Sequence, residues 1–242
     1  MKKSGLLLAL AVLIFSALAS AETPVVVELF TSEGCSSCPP ADALLVKLSQ
    51  QAGNGTELVL LGEHVDYWNY IGWTDRFSSP QFSQRQSDYG RALHSQTYTP
   101  QMVIDGTREF VGSDVSEAQR DIAAAAKEAK PAHVTLTWEG ANRLHVSVQS
   151  SAQQSGTVLL ATTEDGLSTA VHAGENGGRT LRHAAVVRQL KKVGDLRNGN
   201  FQATVDLTPR PDWNRDKLKL AVLVEEPATM KILGAGEVAY SH

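Results

Sequence analysis

The sequence contains two cysteines, Cys35 and Cys38, separated by Ser36-Ser37. A pair at this spacing is suited to thiol–disulfide chemistry. A bridge made for stability is expected to join distant segments, because closing a very short loop removes little entropy from the unfolded chain. The pair follows an apolar run and opens a helical one. Cys35 is therefore expected where the helix dipole and free backbone N–H groups favour a thiolate, exposed and acidic. Cys38, one turn on and shielded, is placed to resolve a mixed disulfide. The Cys35–Cys38 disulfide would be the redox group, with no cofactor. Two other readings stay open: an inert local bridge, and a soft-metal Cu(I) site formed by both thiols with His64. Zinc is not indicated, since there is no second C-x-x-C and no H-x-x-x-H pair.

Further residues are candidates for support. Thr99-Pro100 precedes a strand; in cis, this proline would present a backbone edge beside the cysteines. Glu28 interrupts an apolar strand. It is either a buried carboxyl of raised pKa that exchanges a proton with Cys38, or a carboxylate at a sheet edge or paired with an arginine. His64 and Asp66 follow the second strand, and ligands gather at the carboxyl ends of parallel strands. They are expected on the cysteine side, lining a groove with Tyr67, Trp68 and Trp73. The loop Gly174–Arg179 lacks the G-K-[ST] of a phosphate loop, which excludes that mode of nucleotide binding. With Arg179, Arg182, His183 and Arg188 it is read as a patch that positions a partner.

These residues need elements to hold them. Val25 to Phe30 is β-branched and apolar, a buried strand. Ala41 to Gln50 is helical, with Leu44, Leu45 and Leu48 on one face. Pro39 and Pro40 mark its first turn, and Gly53-Asn54-Gly55 ends it. Leu58 to Gly62 is a second buried strand. A polar, aromatic insert (67–98) holds a helix around Pro80 to Leu93. Gln101 to Ile104 and Glu109 to Val111 form a hairpin about Asp105-Gly106. Asp114 with Glu117 caps an alanine-rich helix that Pro131 stops. From His133 to Tyr240, apolar residues alternate with polar ones, as in Val134, Leu136 and Trp138 or Leu218, Leu220, Val222 and Val224. About seven short strands fit there.

The start of the chain reads as a secretory signal peptide: Lys2 and Lys3, an apolar run from Leu6 to Leu18, then Ala19-Ser20-Ala21 before a cleavage point after Ala21. Removing 21 of the 242 residues leaves 221, and losing Lys2 and Lys3 moves the formal charge from −4 to −6. A mildly acidic chain is poorly suited to nucleic acid. No later segment is long and apolar enough to anchor in a bilayer. The expected location is the periplasm or the exterior, and the expected partners are thiol- or disulfide-containing proteins.

The stretch T-S-E-G-C-S-S-C-P-P-A-D (Thr31 to Asp42) resembles the signature of a family of exported, thioredoxin-like bacterial proteins grouped as a domain of unknown function. H-V-D-Y-W (His64 to Trp68), Y-T-P-Q-M-V-I-D-G (Tyr98 to Gly106) and G-E-N-G-G-R (Gly174 to Arg179) resemble it too. The wider similarity to thioredoxins implies Cys35 as nucleophile, Cys38 as resolving cysteine and Pro100 as a cis-proline. Ser36-Ser37 stands where thioredoxins carry Gly-Pro. The fold expectation is an α/β thioredoxin-like domain over residues 22–131, followed by an all-β sandwich over 132–242. The expected activity is thiol–disulfide exchange.

Overall fold

The computed structural model describes residues 24–51, 56–151 and 153–241. The signal-peptide reading of residues 1–21 and the helix-ending role of Gly53-Asn54-Gly55 lie outside them. The first half runs β1 (Val25–Thr31), α1 (Pro39–Gln50), β2 (Leu58–His64), α2 (Pro80–Ala92), β3 (Gln101–Ile104), β4 (Arg108–Val111) and α3 (Val115–Ala125). Local chemistry sets the helix starts. Pro39 and Pro40 occupy the first turn of α1, where no N–H is needed. Ser79 accepts from Gln81 N at the start of α2, and Asp114 accepts from Glu117 N at the start of α3.

Nine strands follow among the described residues: β5 (Ala132–Trp138), β6 (Arg143–Ser150), β7 (Gly156–Glu164), β8 (Leu167–Ala170), β9 (Thr180–His183), β10 (Val186–Leu196), β11 (Asn200–Asp206), β12 (Leu218–Glu225) and β13 (Ile232–Ala239). They do not form a separate sandwich, and here the fold expectation is corrected. One mixed eight-stranded sheet runs β13-β12-β7-β10-β2-β1-β3-β4, taking strands from both halves. β1 and β2 are parallel, and β10 joins the free edge of β2 in parallel at Val186–Gly62. Gly62 N donates to Ala185 O at 2.7 Å across this seam. The physical reason is edge satisfaction. A buried β2 with one side unpaired would leave a row of backbone groups without partners. β7 and β12 are buried along most of their length on both faces, whereas β5, β6 and β11 alternate. The first pattern belongs to central strands covered on both sides. β5, β6 and β11 form a second layer, a three-stranded antiparallel sheet, and β8 and β9 pair as a two-stranded one.

Four apolar clusters hold the layers together among the described residues. Val25, Val27 and Leu29 of β1 pack on Leu44, Leu45 and Leu48 of α1 and on Ala118 and Ile122 of α3. Each fully buried leucine contributes about 1.5–3 kcal/mol. The alternate residues Val26 and Phe30 face α2 through Phe82 and Tyr89. Leu144, Val146 and Val148 of β6 pack on Leu160, Leu220 and Val222. β5 approaches β13 so closely that a Cβ at Gly234 would lie 2.1 Å from Ala132 O. The Asp105-Gly106 hairpin turn, both residues at positive φ, is bound to the second half through Ile232 N to Asp105 O at 3.0 Å.

Candidate functional site

Cys35 and Cys38 are joined as a disulfide in the turn between β1 and α1. Cys38 is the N-cap residue of α1, so the helix begins after both cysteines. The turn is narrow: Cys35 N donates to Ser32 O and Cys38 N donates to Cys35 O, both at 3.2 Å. Ser36 and Ser37 are exposed, but Cys35 is only 1 % exposed and Cys38 is fully buried. The expected exposure of Cys35 is therefore corrected in this oxidised form. The turn is clasped from the second half of the chain. Asn176 Nδ2 donates to both Glu33 O and Cys35 O at 2.9 Å, and Glu175 Oε2 accepts from Ser36 N at 3.1 Å.

Thr99–Pro100 is cis, and Pro100 is buried. Ser37 Oγ lies 3.4 Å from Thr99 O and from Cys35 Sγ, which puts this bond beside the cysteine turn. Gly112 N donates to Pro100 O, and a Cβ at Gly112 would fall 3.3 Å from Pro100 Cβ and 3.4 Å from Ala41 Cβ. The insert supplies two tryptophans that close on the same place. Trp68 Nε1 donates to Thr99 Oγ1 at 2.7 Å, and Trp73 Nε1 donates to Glu33 Oε2 at 2.8 Å.

A buried polar cluster lies behind the turn. His64 Nδ1 is 2.7 Å from Asp75 Oδ2, and the same oxygen accepts from Glu33 N at 2.8 Å. His183 lies between Glu33 and Asp42, at 3.3 Å from Glu33 Oε1 and 3.9 Å from Asp42 Oδ1. The His64 and His183 rings are 4.9 Å apart. Burial opposes charge on His64, but Asp75, Asp42 and Glu33 outweigh it and raise its pKa. Burial likewise works against a charged Asp75, yet His64 and the N–H groups of Glu33 and Phe77 hold it below the usual carboxylate range. Burial pushes Asp42 upward against the pull of His183 and His64.

Of the remaining candidates, Glu28 and Asp66 lie elsewhere. Glu28 is on the face of β1 opposite α1, where Arg85 Nε and Nη2 donate to it at 2.6 and 3.1 Å and Tyr89 donates a further bond. Its position is that of the arginine-paired carboxylate. Glu63 and Glu225 complete this second cluster, at 3.5 and 2.8 Å from Arg85. Burial, then the neighbouring Glu28, push the Glu63 pKa well up. Asp66 accepts from Ser83 Oγ of α2. Tyr67 hydrogen-bonds to Gln86 at 3.0 Å. Arg188 pairs with Glu164 at 2.9 Å, and Arg182 is exposed.

Glu33, Asp42, Asp75 and Asn176 were not singled out from the sequence, and His183 was read as surface. Polar residues inside these motifs carry no sign of burial in their type or spacing. The one available signal was the glycine-rich G-E-N-G-G-R loop, whose composition exceeds what a connection between strands needs. Among the described residues, no set of three or more His, Cys, Asp or Glu side chains is arranged to hold a metal ion. No helix among them is long and apolar enough to cross a membrane.

Fold and site together define a mostly β protein, with a mixed eight-stranded sheet and three helices, built around a C-x-x-C disulfide clasped by a distant loop. The chain belongs to the family described as "Protein of unknown function (DUF1223)", whose model matches residues 26–225. It is similar to a crystallographically determined protein from Agrobacterium tumefaciens at 28% identity and a TM-score of 0.76, covering 93% of this chain and 97% of that one. It is also similar in fold to HBP35 of Porphyromonas gingivalis, at 15% identity and a TM-score of 0.69, covering 90% and 75%. No curated protein matches.

Proposed function

We propose that this chain is an exported thiol–disulfide oxidoreductase acting on protein or small-molecule thiols. The observation that carries the reading is the Cys35–Cys38 disulfide at the head of α1, beside Thr99–Pro100. In the oxidised form, a substrate thiolate attacks Cys35 Sγ and the Cys35–Cys38 bond breaks, leaving Cys38 as a thiolate that takes up a proton. A second substrate thiolate then attacks the substrate sulfur of the mixed disulfide. The substrate leaves oxidised, and Cys35 and Cys38 are left reduced. Run in reverse, the steps reduce a substrate disulfide, with Cys38 expelling the substrate from Cys35. The kinship with thioredoxins suggested by the motifs rests on Cys35, Cys38 and Pro100. Export to the periplasm or beyond rests on residues 1–21. The chemistry needs no cofactor, and the partners are proteins carrying thiols or disulfides.

The test is capture. In cells producing Cys38→Ser, reductant-sensitive adducts should accumulate on Cys35, and in cells producing Cys35→Ser they should not. Adducts from neither variant, or equally from both, sink the assignment. The second reading is a stable local bridge, favoured by the 1 % exposure of Cys35. It predicts a pair that stays oxidised after equilibration with millimolar glutathione over the physiological range of potentials.

A further inference from the structure

The Gly174–Arg179 loop meets the cysteine turn from 141 positions away, and its central contact is unusual in kind. Asn176 is fully buried, and its amide nitrogen has two N–H groups. It donates to two backbone carbonyls that flank Gly34, those of Glu33 and Cys35, each at 2.9 Å. The amide oxygen is also engaged, accepting from Arg179 Nη1 at 2.9 Å. Arg179 thereby fixes which end of the amide faces the turn. The loop is held by Gly178 N to Val171 O at 2.8 Å and Val171 N to Arg179 O at 2.9 Å. Arg179, read from the sequence as a partner-facing residue, is exposed and at the same time binds the amide oxygen through Nη1.

Two carbonyl oxygens beside Cys35 place negative partial charge next to a sulfur that must become a thiolate. Cys35 O already accepts from Cys38 N; Asn176 adds a second donor there and supplies one to Glu33 O, and each bound N–H offsets part of that negative charge. The prolines at the start of α1 make this matter more. Pro39 and Pro40 have no N–H, so the helix N-terminus has fewer free donors to offer a thiolate than an ordinary one. A donor brought from the second half of the chain can make good part of that loss.

We infer that Asn176, oriented by Arg179, is a positioning residue of the redox centre that sets the reactivity of Cys35 by binding the carbonyls of Glu33 and Cys35. This deepens the proposed thiol–disulfide exchange and rests on it. The geometry also accounts for why the C-x-x-C and G-E-N-G-G-R motifs belong to one site although they are far apart in sequence.

The experiment uses the full-length mature chain with Cys38→Ser, so that Cys35 is the sole thiol. The thiolate absorbance at 240 nm is titrated, and the rate of iodoacetamide alkylation is measured at pH 7. Asn176→Ala removes both hydrogen bonds to the turn and should raise the thiolate pKa and slow alkylation about tenfold, within what two hydrogen bonds of ordinary strength supply. Arg179→Ala keeps the amide but frees its orientation, and should move both readings the same way by less. Thermal unfolding is measured on every variant. If Asn176→Ala does not fold, Arg179→Ala alone decides. A folded variant whose titration and alkylation match the parent overturns the inference. Failure of the redox reading shows separately, as a parent thiol titrating at or above about 8.5. The Asn176 comparison can still be made in that parent.

Discussion

His64 Nδ1 lies 2.7 Å from Asp75 Oδ2, with both side chains buried directly behind the cysteine turn. The pair ties β2 to the insert, and through Glu33 N it ties the insert to the turn itself. Its charge state should be visible in stability. The pKa of His64 is raised, so the stability it contributes is present in full below its unfolded value of about 6.5 and is lost as pH rises through the folded value. The pKa of Asp75 is lowered, so its contribution is present above about 3.9 and is lost as pH falls through the folded value.

Stability should therefore decline above pH 6.5, and His64→Gln should remove that part of the slope while costing about 2 kcal/mol near pH 6. Asp42, Glu63 and Glu225 also have raised values and push in the same direction, so the informative quantity is the difference between the two proteins. Urea unfolding of both across pH 5 to 9 measures it. Parallel curves would count against a charged His64.

Glu175 places a carboxylate on Ser36 N–H, next to Cys35. Glu175→Gln should speed alkylation of Cys35 in the Cys38→Ser background by about fivefold at low salt, as expected for removing one charge a few ångströms from a thiolate. The gain should shrink at high salt because the residue is exposed. An equal gain at both ionic strengths would point to loop loosening instead of charge.

Among the described residues, Arg85 is the one cation paired with Glu28, Glu63 and Glu225 in the buried cluster on the α2 side. Arg85→Met should destabilise by about 3–5 kcal/mol, since it strands buried carboxylates without their partner. Glu28→Gln should cost less and should leave the pH profile of thiol exchange where it was, because Glu28 faces away from α1. A displaced profile would restore a proton-exchange role for Glu28.

Gly234→Ala should destabilise by about 1–3 kcal/mol, because the new methyl would meet the backbone oxygen of Ala132. The sequence neighbour Ala235→Gly serves as the control for backbone entropy. Thermal unfolding of both variants checks the expectation, and an unchanged Gly234→Ala would mean that β5 can move off β13.

The first half of the chain was legible in its residues. Val25 to Phe30, Ala41 to Gln50 and Gln101 to Ile104 form the elements their patterns predict, because caps, prolines and the Asp105-Gly106 turn act locally. The second half was legible as strands but not as a sheet. Leu218 to Val224 reads as alternating if Lys219 is given weight and as continuous if Ala221 and Leu223 are. Only pairing with β7 and β13 decides between the two. The cysteines announced themselves by type and spacing. Asn176 and His183 did not, because their roles depend on contacts across more than a hundred residues, and a single sequence carries no record of such contacts.

The seam between Val186 and Gly62 has a consequence for how the protein is made. A chain synthesised from its N-terminus presents β1, α1, β2 and both cysteines first. The strand that pairs with β2, and the loop that clasps Cys35, appear only after most of the chain has been made. During that interval the edge of β2 is open and the cysteine pair stands without Asn176. Both are then available to whatever foldase or stray strand is present. Completion of the chain is thus also the event that closes the sheet and encloses its cysteines.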